Sequence, residues 1–588
     1  MKKRFLHTFL FLLLPLYPAW TCLFGCTAPN SPASTSKRWK DPGPFLEALS
    51  LIERGRTREA TRILAPSWVE RFAPLILKTR PGPLLPGPWG FSRAAGDKVY
   101  LFIRNWQPGY LMQFPNTELP LVKNSWRSLT GGKVKIRWAT GVEVFMDRAD
   151  RDPVATVVVY RVKGDAERMH KIRVPDWTDP TLNAPPEAVR AWRKLKFGMF
   201  LHWGPCSVAG KEISWSRRGS KMGRIRYGGS GVDGKYKRDP SYDSLFKKFN
   251  PTKFDARAWV RLAKEAGMKY MVLIAKHHDG FCMFDSKFTD YDITATPYGK
   301  DIAGLLARAC HEAGMKLGWY YSPRDWYHPD FGRTDTHWRY CRYYLAQLRE
   351  LCSNYGEVEI LWFDCLDSPQ YLWGDTPEKS VRLVRKLQPR IVINDRAGLR
   401  GDFDTPEGRI GRFERERPWE TCATISSGWS WHPGKKAKSL EKLLGMLVAV
   451  AGRDGNLLLN VPPRPDGTFE PDQVARLKEI GAWLAGYGDS IYGTRGGPFL
   501  PARKFASTCK GDRVFLHLLS GRKEVRLPAF PAKILSARIL GGGDAALEKA
   551  PSGGTVVRPG RLRPIDTIVV LRLDRPALDL PVVPLPAR

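Results

Sequence analysis

The sequence predicts an α/β protein: a (β/α)8-type TIM barrel flanked at both ends by all-β, sandwich-like modules. Two observations predict it. Continuous apolar segments alternate with helical segments through residues 185–490, which is typical of a parallel sheet buried on both faces. Segments rich in Val, Ile and Thr lie on either side, at 79–165 and 494–575, and these residue types favour strands.

The first 26 residues are typical of a bacterial export signal. Three basic residues precede the apolar run 9–16, and 23-LFGC-26 resembles a lipobox that ends on Cys26. The run is too short to span a membrane. We therefore expect an exported protein, periplasmic or at the cell surface, whose one predicted contact with a membrane is a lipid on Cys26. Residues 27–78 are expected to be a linker followed by a short helical segment.

The two β-rich segments are an internal repeat. The stretch 79-TRPGPLLP-86 matches 494-TRGGPFLP-501, and 96-GDKV-99 matches 511-GDRV-514. Matched signals in the same order indicate duplication. We predict one β-module that is present twice, with the barrel between the copies.

The region between the copies carries the barrel pattern. A barrel is favoured by the number of strand and helix units over about 300 residues. A doubly wound open sheet is the alternative, but no GxGxxG follows the first strand. Strands are predicted at 196–204, 269–280, 316–322, 359–364, 390–396 and 456–463, and helices at 255–268, 301–315, 337–356, 376–389 and 439–452.

Polar side chains close successive predicted strands. His202 ends the first strand, Tyr321 the third and Asp364 the fourth. Because the carboxyl ends of barrel strands form the active-site mouth, these residues should meet there. Alternation along 359-EILWFD-364 places Trp362 and Asp364 on one face. The sequence therefore predicts a pocket with a carboxylate at its floor.

Three kinds of chemistry are candidates for such a pocket. Paired carboxylates with His and Arg donors suit glycoside hydrolysis. A Ser–His–acid site is disfavoured because no GxSxG is present. The histidines are potential zinc or iron ligands, but neighbours such as His277 and His278 would project to opposite sides of an extended strand. We predict no metal and no cofactor.

The charge restricts the partners. The formal net charge is +35, which favours a polyanion. Basic residues are spread along the whole chain, and no nucleic-acid-binding motif is present. No nucleic acid is therefore predicted, and a sulfated or acidic polysaccharide remains open.

Seven motifs, taken together and in order, resemble glycoside hydrolase family 29, the α-L-fucosidases. This resemblance covers about 190–500 and implies retaining hydrolysis of terminal α-L-fucosyl residues from glycans. It also implies a C-terminal sandwich, whereas the N-terminal module departs from the usual layout of the family. The motifs are HWG (202–204), KHHDGF (276–281), WYYS (319–322), LWFD (361–364), VINDR (392–396), WETC (419–422) and GNLLLNVPPRPDG (455–467).

The resemblance implies two catalytic carboxyls. Asp364 matches the nucleophile, and Glu407 in 402-DFDTPE-407 matches the acid/base of bacterial members. Glu420, in WETC, is the rival for the acid/base role. Retention requires the two carboxyls to lie about 5–5.5 Å apart. The acid/base needs a raised pKa, from burial or from nearby negative charge.

The resemblance also implies substrate-binding side chains at strand ends and in the first β→α loop. That loop reads EISWSR rather than the more usual E-W-Y, which leaves the fine substrate preference open. The implied residues are His202, His277, His278, Tyr321, Trp362, Arg396, Glu212 and Trp215.

Alternatives remain for substrate and class. The same machinery would serve an exo-glycosidase of a related L-sugar such as an α-L-galactoside. A non-catalytic carbohydrate-binding lipoprotein is the alternative from another class.

The basic, glycine-rich stretch 216–240 is, after the net charge, a second indication of an anionic glycan.

Overall fold

The computed structural model describes residues 43–107, 109, 111–115, 119–138, 142–218, 239–366, 370–551 and 553–586. The export signal, Cys26 and most of the stretch 216–240 lie outside these residues, so the expectations for them stay predictions. Within the described ranges, no helix has both the length and the apolar character needed to cross a membrane.

A helical cap precedes the first module, where the sequence predicts a short helical segment. It consists of α1 (Gly43–Glu53), α2 (Thr57–Ala60) and α3 (Pro66–Leu77). Its apolar side chains pack against Phe91, Phe102 and Val157 of the following sheet. Burial against that sheet stabilises helices that are too short to be stable alone.

The N-terminal module consists of two antiparallel sheets. Their order is β1-β2-β3-β8-β5 and β4-β7-β6. Side chains from both sheets meet in one apolar core. The strands are β1 (Arg80–Pro81), β2 (Gly90–Ala95), β3 (Lys98–Ile103), β4 (Leu111–Phe114), β5 (Arg127–Ser128), β6 (Lys135–Trp138), β7 (Val142–Phe145) and β8 (Thr156–Arg161).

The barrel sheet is parallel throughout, in the order β13-β12-β11-β10-β9-β15-β14. The segment 403–407 forms single parallel bridges to both edges of the sheet, to Asn394 on one side and to Trp419 and Cys422 on the other. It thereby closes the curled sheet, and the predicted fold class is confirmed. The strands are β9 (Phe197–Leu201), β10 (Tyr270–Lys276), β11 (Lys316–Tyr321), β12 (Ile360–Phe363), β13 (Val392–Ile393), β14 (Glu420–Thr424) and β15 (Asn456–Asn460).

Local chemistry sets the ends of the surrounding helices. Asp255 and Asp301 accept hydrogen bonds from backbone N–H groups in the first turns of α6 and α7. Gly267 and Gly314 follow these helices with φ of 80° and 65°, which suits glycine at a helix end. The helices are α4 (Pro186–Leu195), α5 (Pro240–Asp243), α6 (Ala256–Glu265), α7 (Ile302–Glu312), α8 (His337–Ser353), α9 (Gln370–Trp373), α10 (Thr376–Leu387), α11 (Leu440–Ala451) and α12 (Pro471–Tyr487).

The C-terminal module repeats the topology of the first. Its sheets have the order β16-β17-β18-β23-β20 and β19-β22-β21. Counted from the first strand of each module, both copies have the same order in both sheets, which is what a duplication predicts. The strands are β16 (Arg495–Gly496), β17 (Phe505–Lys510), β18 (Arg513–Leu519), β19 (Val525–Leu527), β20 (Ile534–Ile539), β21 (Ala545–Lys549), β22 (Thr555–Pro559) and β23 (Asp566–Leu573).

Candidate active site

A cavity of about 760 Å³ lies at the carboxyl ends of the barrel strands. Alternation along the strands builds its floor, because every second side chain points into the barrel. The residues of the barrel that line the cavity include Phe200, His202, Trp215, His277, Tyr320, Trp362, Asp364, Arg396, Glu407 and Trp429.

Asp364 directly follows β12 at the cavity floor, with a side chain that is 15% exposed. Its Oδ1 accepts a hydrogen bond from Arg396 Nη1 at 2.8 Å, and its Oδ2 accepts one from the Tyr320 hydroxyl at 2.8 Å. Burial by itself raises the pKa of Asp364, but the Arg396 charge and these hydrogen bonds outweigh it and hold the pKa below its usual range. The carboxyl is therefore ionised at neutral pH, as a nucleophile requires.

Glu407 shares the same arginine. Arg396 Nη1 also donates to Glu407 Oε2 at 2.9 Å. The same arginine nitrogen contacts both carboxylates. The distance between the contacting oxygens of Asp364 and Glu407 is therefore at most the sum of the two N···O distances, 2.8 and 2.9 Å. That limit is compatible with the separation of about 5–5.5 Å that retention needs. Of the two features expected of the acid/base, burial is not found at Glu407, whose side chain is 46% exposed, whereas negative charge lies nearby in the Asp364 carboxylate.

Glu420 lies beneath the floor and does not line the cavity. Its Oε1 accepts from the Trp362 indole at 2.8 Å, and its Oε2 accepts from the Tyr270 hydroxyl. Burial raises the pKa of Glu420 to about 7. The pKa of Glu420 is therefore one that a general acid needs, but Trp362 lies between this carboxyl and the cavity. The buried position of Glu420 favours Glu407 as the acid/base.

Two histidines on the wall are fixed through Nδ1. His202 Nδ1 lies 2.7 Å from Asn460 Oδ1, and His277 Nδ1 lies 2.6 Å from Ser214 Oγ. Because an amide oxygen only accepts, His202 carries its hydrogen on Nδ1 and keeps a lone pair on Nε2. Burial lowers the pKa of His202 to about 3 and that of His277 well below its usual value. Both rings are therefore neutral and suited to binding hydroxyl groups.

His278 lies behind Asp364 rather than on the cavity wall. Its Nε2 is 3.8 Å from Asp364 Oδ2, and its Nδ1 is 2.6 Å from Ser322 Oγ. The expectation that His277 and His278 project to opposite sides is wrong. Strand β10 ends at Lys276, so strand alternation does not apply, and the two ring centroids are 4.0 Å apart.

This geometry reopens the question of a metal site. Ligand atoms of His277, His278 and Asp364 lie within 4.8 Å of one another. The Arg396 guanidinium, however, already contacts the same carboxylate at 2.8 Å. A cation held there would be repelled by this charge, so the arrangement favours Arg396 as the positive group beside Asp364.

The expectation for Tyr321 is wrong, because its neighbour Tyr320 lines the cavity. Tyr320 is paired in register with Trp362 across β11 and β12 and therefore shares its inward face. Tyr321 points outward and donates to Gln347 Oε1 of α8 at 2.7 Å. The register against Trp362 is the signal that identifies Tyr320.

The expectation for Glu212 is also wrong, whereas Trp215 lines the cavity as expected. The Glu212 carboxylate accepts from the backbone N–H groups of Trp429 and Ser430, at 3.1 and 2.8 Å. The Glu212 carboxylate thereby fixes the backbone at Trp429. Trp429 lines the cavity and was missed by sequence reasoning. The signal for Trp429 is the aromatic stretch 429-WSW-431 after β14.

The outer wall of the cavity comes from the N-terminal module, which sequence reasoning did not place there. Its lining residues include Lys133, Lys135, Arg137 and Phe145. No local pattern in the sequence indicates this contact, because it depends on how two distant segments dock.

A TIM barrel with two carboxylates held by one arginine has the arrangement of a glycoside hydrolase. The comparisons with known proteins agree. The family model described as Alpha-L-fucosidase matches residues 168–489, more than half of the chain. This chain belongs to the α-L-fucosidase family, glycoside hydrolase family 29.

Named relatives show the extent of the likeness. Alpha-L-fucosidase 1 of Arabidopsis thaliana is 31% identical over 336 residues, which cover 51% of this chain and 60% of that protein. Plasma alpha-L-fucosidase of Homo sapiens is 30% identical, with 52% of this chain and 69% of that protein covered. The structure of alpha-L-fucosidase isoenzyme 1 from Paenibacillus thiaminolyticus matches with a TM-score of 0.58 and 30% identity, over 66% of this chain and 99% of that one. The chain thus spans about three fifths of the Arabidopsis relative, and the family match begins after the N-terminal module.

Proposed function

We propose that this protein is an exported α-L-fucosidase that hydrolyses terminal α-L-fucosyl residues from glycans with retention of configuration. One observation carries the proposal: a single arginine nitrogen joins Asp364 and Glu407 in a cavity whose wall histidines, His202 and His277, are neutral. The family relatives support the substrate class.

The first step uses both carboxyls. A carboxylate oxygen of Asp364 attacks the anomeric carbon, and the bond from that carbon to the leaving oxygen breaks. Glu407 gives its proton to the leaving oxygen as it departs. Since the pKa of Asp364 is held low by Arg396 and Tyr320, the attacking group is ionised before substrate arrives.

The second step reverses the roles. Glu407, now a carboxylate, takes a proton from water, and the water oxygen attacks the anomeric carbon. The ester to Asp364 breaks and the sugar is released with its original configuration. The exposure of Glu407 suits this step, because water reaches its carboxylate directly.

Azide rescue tests the assignment. Asp364→Ala and Glu407→Ala are assayed on 4-nitrophenyl α-L-fucoside with and without azide, beside the wild type. We expect Asp364→Ala to give β-fucosyl azide, because azide attacks from the vacated side. Glu407→Ala should give the α-azide through the intact glycosyl-enzyme. A wild type without activity on any α-L-fucoside, or a fully active Glu407→Ala, contradicts the proposal, and chelator sensitivity would support a metal at His277 and His278.

Export remains a proposal that rests on residues 1–26. Incorporation of labelled fatty acid by the wild type, and its loss in Cys26→Ser, is the expected result. An unlabelled wild type that is found in the medium supports a cleaved signal without a lipid.

A further inference from the structure

The N-terminal module turns one sheet face toward the cavity. In the sheet β4-β7-β6, Lys135 is paired with Phe145 and Arg137 with Glu143, and all four line the cavity. Ile136 lies between them and points into the module core. Because strand side chains alternate, the basic residues of β6 share the face that looks into the site.

Direct contacts hold this wall beside the catalytic pair. Gln113 Nε2 donates to the backbone oxygen of Asp395 at 3.3 Å, one residue before Arg396. Arg400 Nη1 donates to Gln107 Oε1 at 3.2 Å. The module thus docks on the strand end and loop that also carry Glu407.

The position of Glu407 assigns a role to this side of the cavity. In the proposed reaction Glu407 protonates the leaving oxygen, so it lies between the fucosyl residue and the leaving group. The inner pocket around Asp364 takes the fucosyl residue. Groups beyond Glu407 therefore meet the sugar that leaves.

Part of the charge on this wall is already neutralised. Arg137 Nε donates to Glu143 Oε2 at 2.6 Å, and Arg412 lies 3.3 Å from Asp147. Each of these two pairs has no net charge. The carboxylate of Glu414, which also lines the cavity, accepts from a nearby backbone N–H at 2.8 Å, a neutral partner that does not offset its charge.

Three further cations remain, two on this wall and one, Arg409, on the barrel segment that follows Glu407. Lys133, Lys135 and Arg409 line the cavity and are exposed. In the described ranges, no carboxylate lies within ion-pair distance of any of them. Lysine and arginine side chains that are free to move bind sulfate and carboxylate groups through charge-assisted hydrogen bonds.

We propose that the N-terminal module completes the active site as a leaving-group subsite for an anionic sugar, one that carries a sulfate ester or a carboxylate. The inference rests on the proposed α-L-fucosidase activity and extends it to the sugar that carries the fucose. The module is then part of the catalytic cleft and not a remote binding domain.

Three disaccharides test the subsite. Each has an α-L-fucosyl residue on a hexose that is neutral, sulfated or oxidised to a uronic acid, and kcat/KM is measured on each at low salt. We expect the charged substrates to exceed the neutral one by about fivefold or more, since each exposed ion pair contributes modestly and several cations line this side of the cavity. The kcat/KM values of the sulfated and the uronic acid disaccharides, compared with each other, show which anion is preferred.

The variant Lys133→Ala/Lys135→Ala should bring the charged-to-neutral ratio toward one, and so should about 1 M salt in the wild type. The matched control is Lys98→Ala/Lys163→Ala, which removes two exposed lysines of the same module that do not line the cavity. Its ratio should equal that of the wild type. Lys133→Gln/Lys135→Gln repeats the test with most of the side-chain volume kept.

The outcomes separate the two proposals. A wild-type ratio near one, or a ratio that the cavity lysines do not change, overturns the subsite while the fucosidase activity stands. A ratio lowered equally by the control pair overturns it as well. Failure to cleave all three disaccharides and the chromogenic fucoside overturns the proposed function and the subsite together.

Discussion

Arg396 should set the pH at which the proposed hydrolytic activity rises. Its guanidinium is 2.8 Å from Asp364 Oδ1, and both side chains are about 15% exposed, so solvent screens the pair only weakly. Without this charge, burial would dominate and raise the pKa of Asp364. The variant Arg396→Met removes the charge and keeps much of the side-chain volume over Trp362, whose ring lies 4.9 Å from the guanidinium carbon.

The size of the effect follows from the contact. A hydrogen bond to a charged group contributes about 1.5–3 kcal/mol. Loss of this contribution raises the pKa of Asp364, so the nucleophile is protonated at higher pH and the acidic limb of kcat/KM moves up. At about 1.4 kcal/mol for each factor of ten, kcat/KM on that limb should fall by about tenfold or more.

The assay is the pH dependence of kcat/KM on an aryl α-L-fucoside with a good leaving group. The position of the acidic limb is the readout, because it is independent of the amount of active protein. Arg409→Met is the matched control, since Arg409 lines the same cavity without contacting Asp364. An acidic limb that stays in place in Arg396→Met, or that moves equally in Arg409→Met, refutes the reasoning.

Two further predictions separate cavity residues from buried neighbours. Tyr320→Phe loses the 2.8 Å hydrogen bond to Asp364 and should lower kcat/KM by about tenfold, whereas Tyr321→Phe should only lower the melting temperature through its bond to Gln347; equal kinetic losses would contradict the inward assignment of Tyr320. Because burial raises the pKa of Glu420 from 4.5 to about 7, the wild type should lose folding free energy as the pH rises through that window. Glu420→Gln should remove this loss, about 3 kcal/mol between about pH 5 and pH 8 in denaturant titrations, and stay active. An inactive Glu420→Gln beside a fully active Glu407→Ala would move the acid/base role to Glu420.

The barrel elements were predictable because their signals are local. Apolar runs bounded by an Asp cap or a left-handed glycine specify both the element and its end, as at Asp301 and Gly314 around α7. Strand β14 was missed because 420-ETCAT-424 is short and polar. It becomes a strand through its neighbours, β15 on one side and the segment 403–407 on the other.

The inner site was predictable for a related reason. Asp364, His202 and Arg396 each follow a recognisable strand, and the barrel brings strand ends together whatever lies between them. Tyr320 and Tyr321 show where this reasoning fails, since the inward face depends on register against β12 and not on which residue comes last. The outer wall was beyond prediction, because the contact of Gln113 with Asp395 joins positions far apart in the chain and has no local signature.

The duplicated module provides its own comparison for the proposed subsite. In the C-terminal copy, β21 occupies the position that β6 holds in the N-terminal copy. The sequence of β21 is AALEK, mostly exposed, and Glu548 forms an ion pair there with Arg558 of β22. A basic strand is therefore not a requirement of the module fold. Within the part of the chain that the structure describes, Lys133 and Lys135 form no ion pair, and they occur in the copy that borders the cavity. This difference between the copies supports a role for the two lysines in binding what the cavity holds.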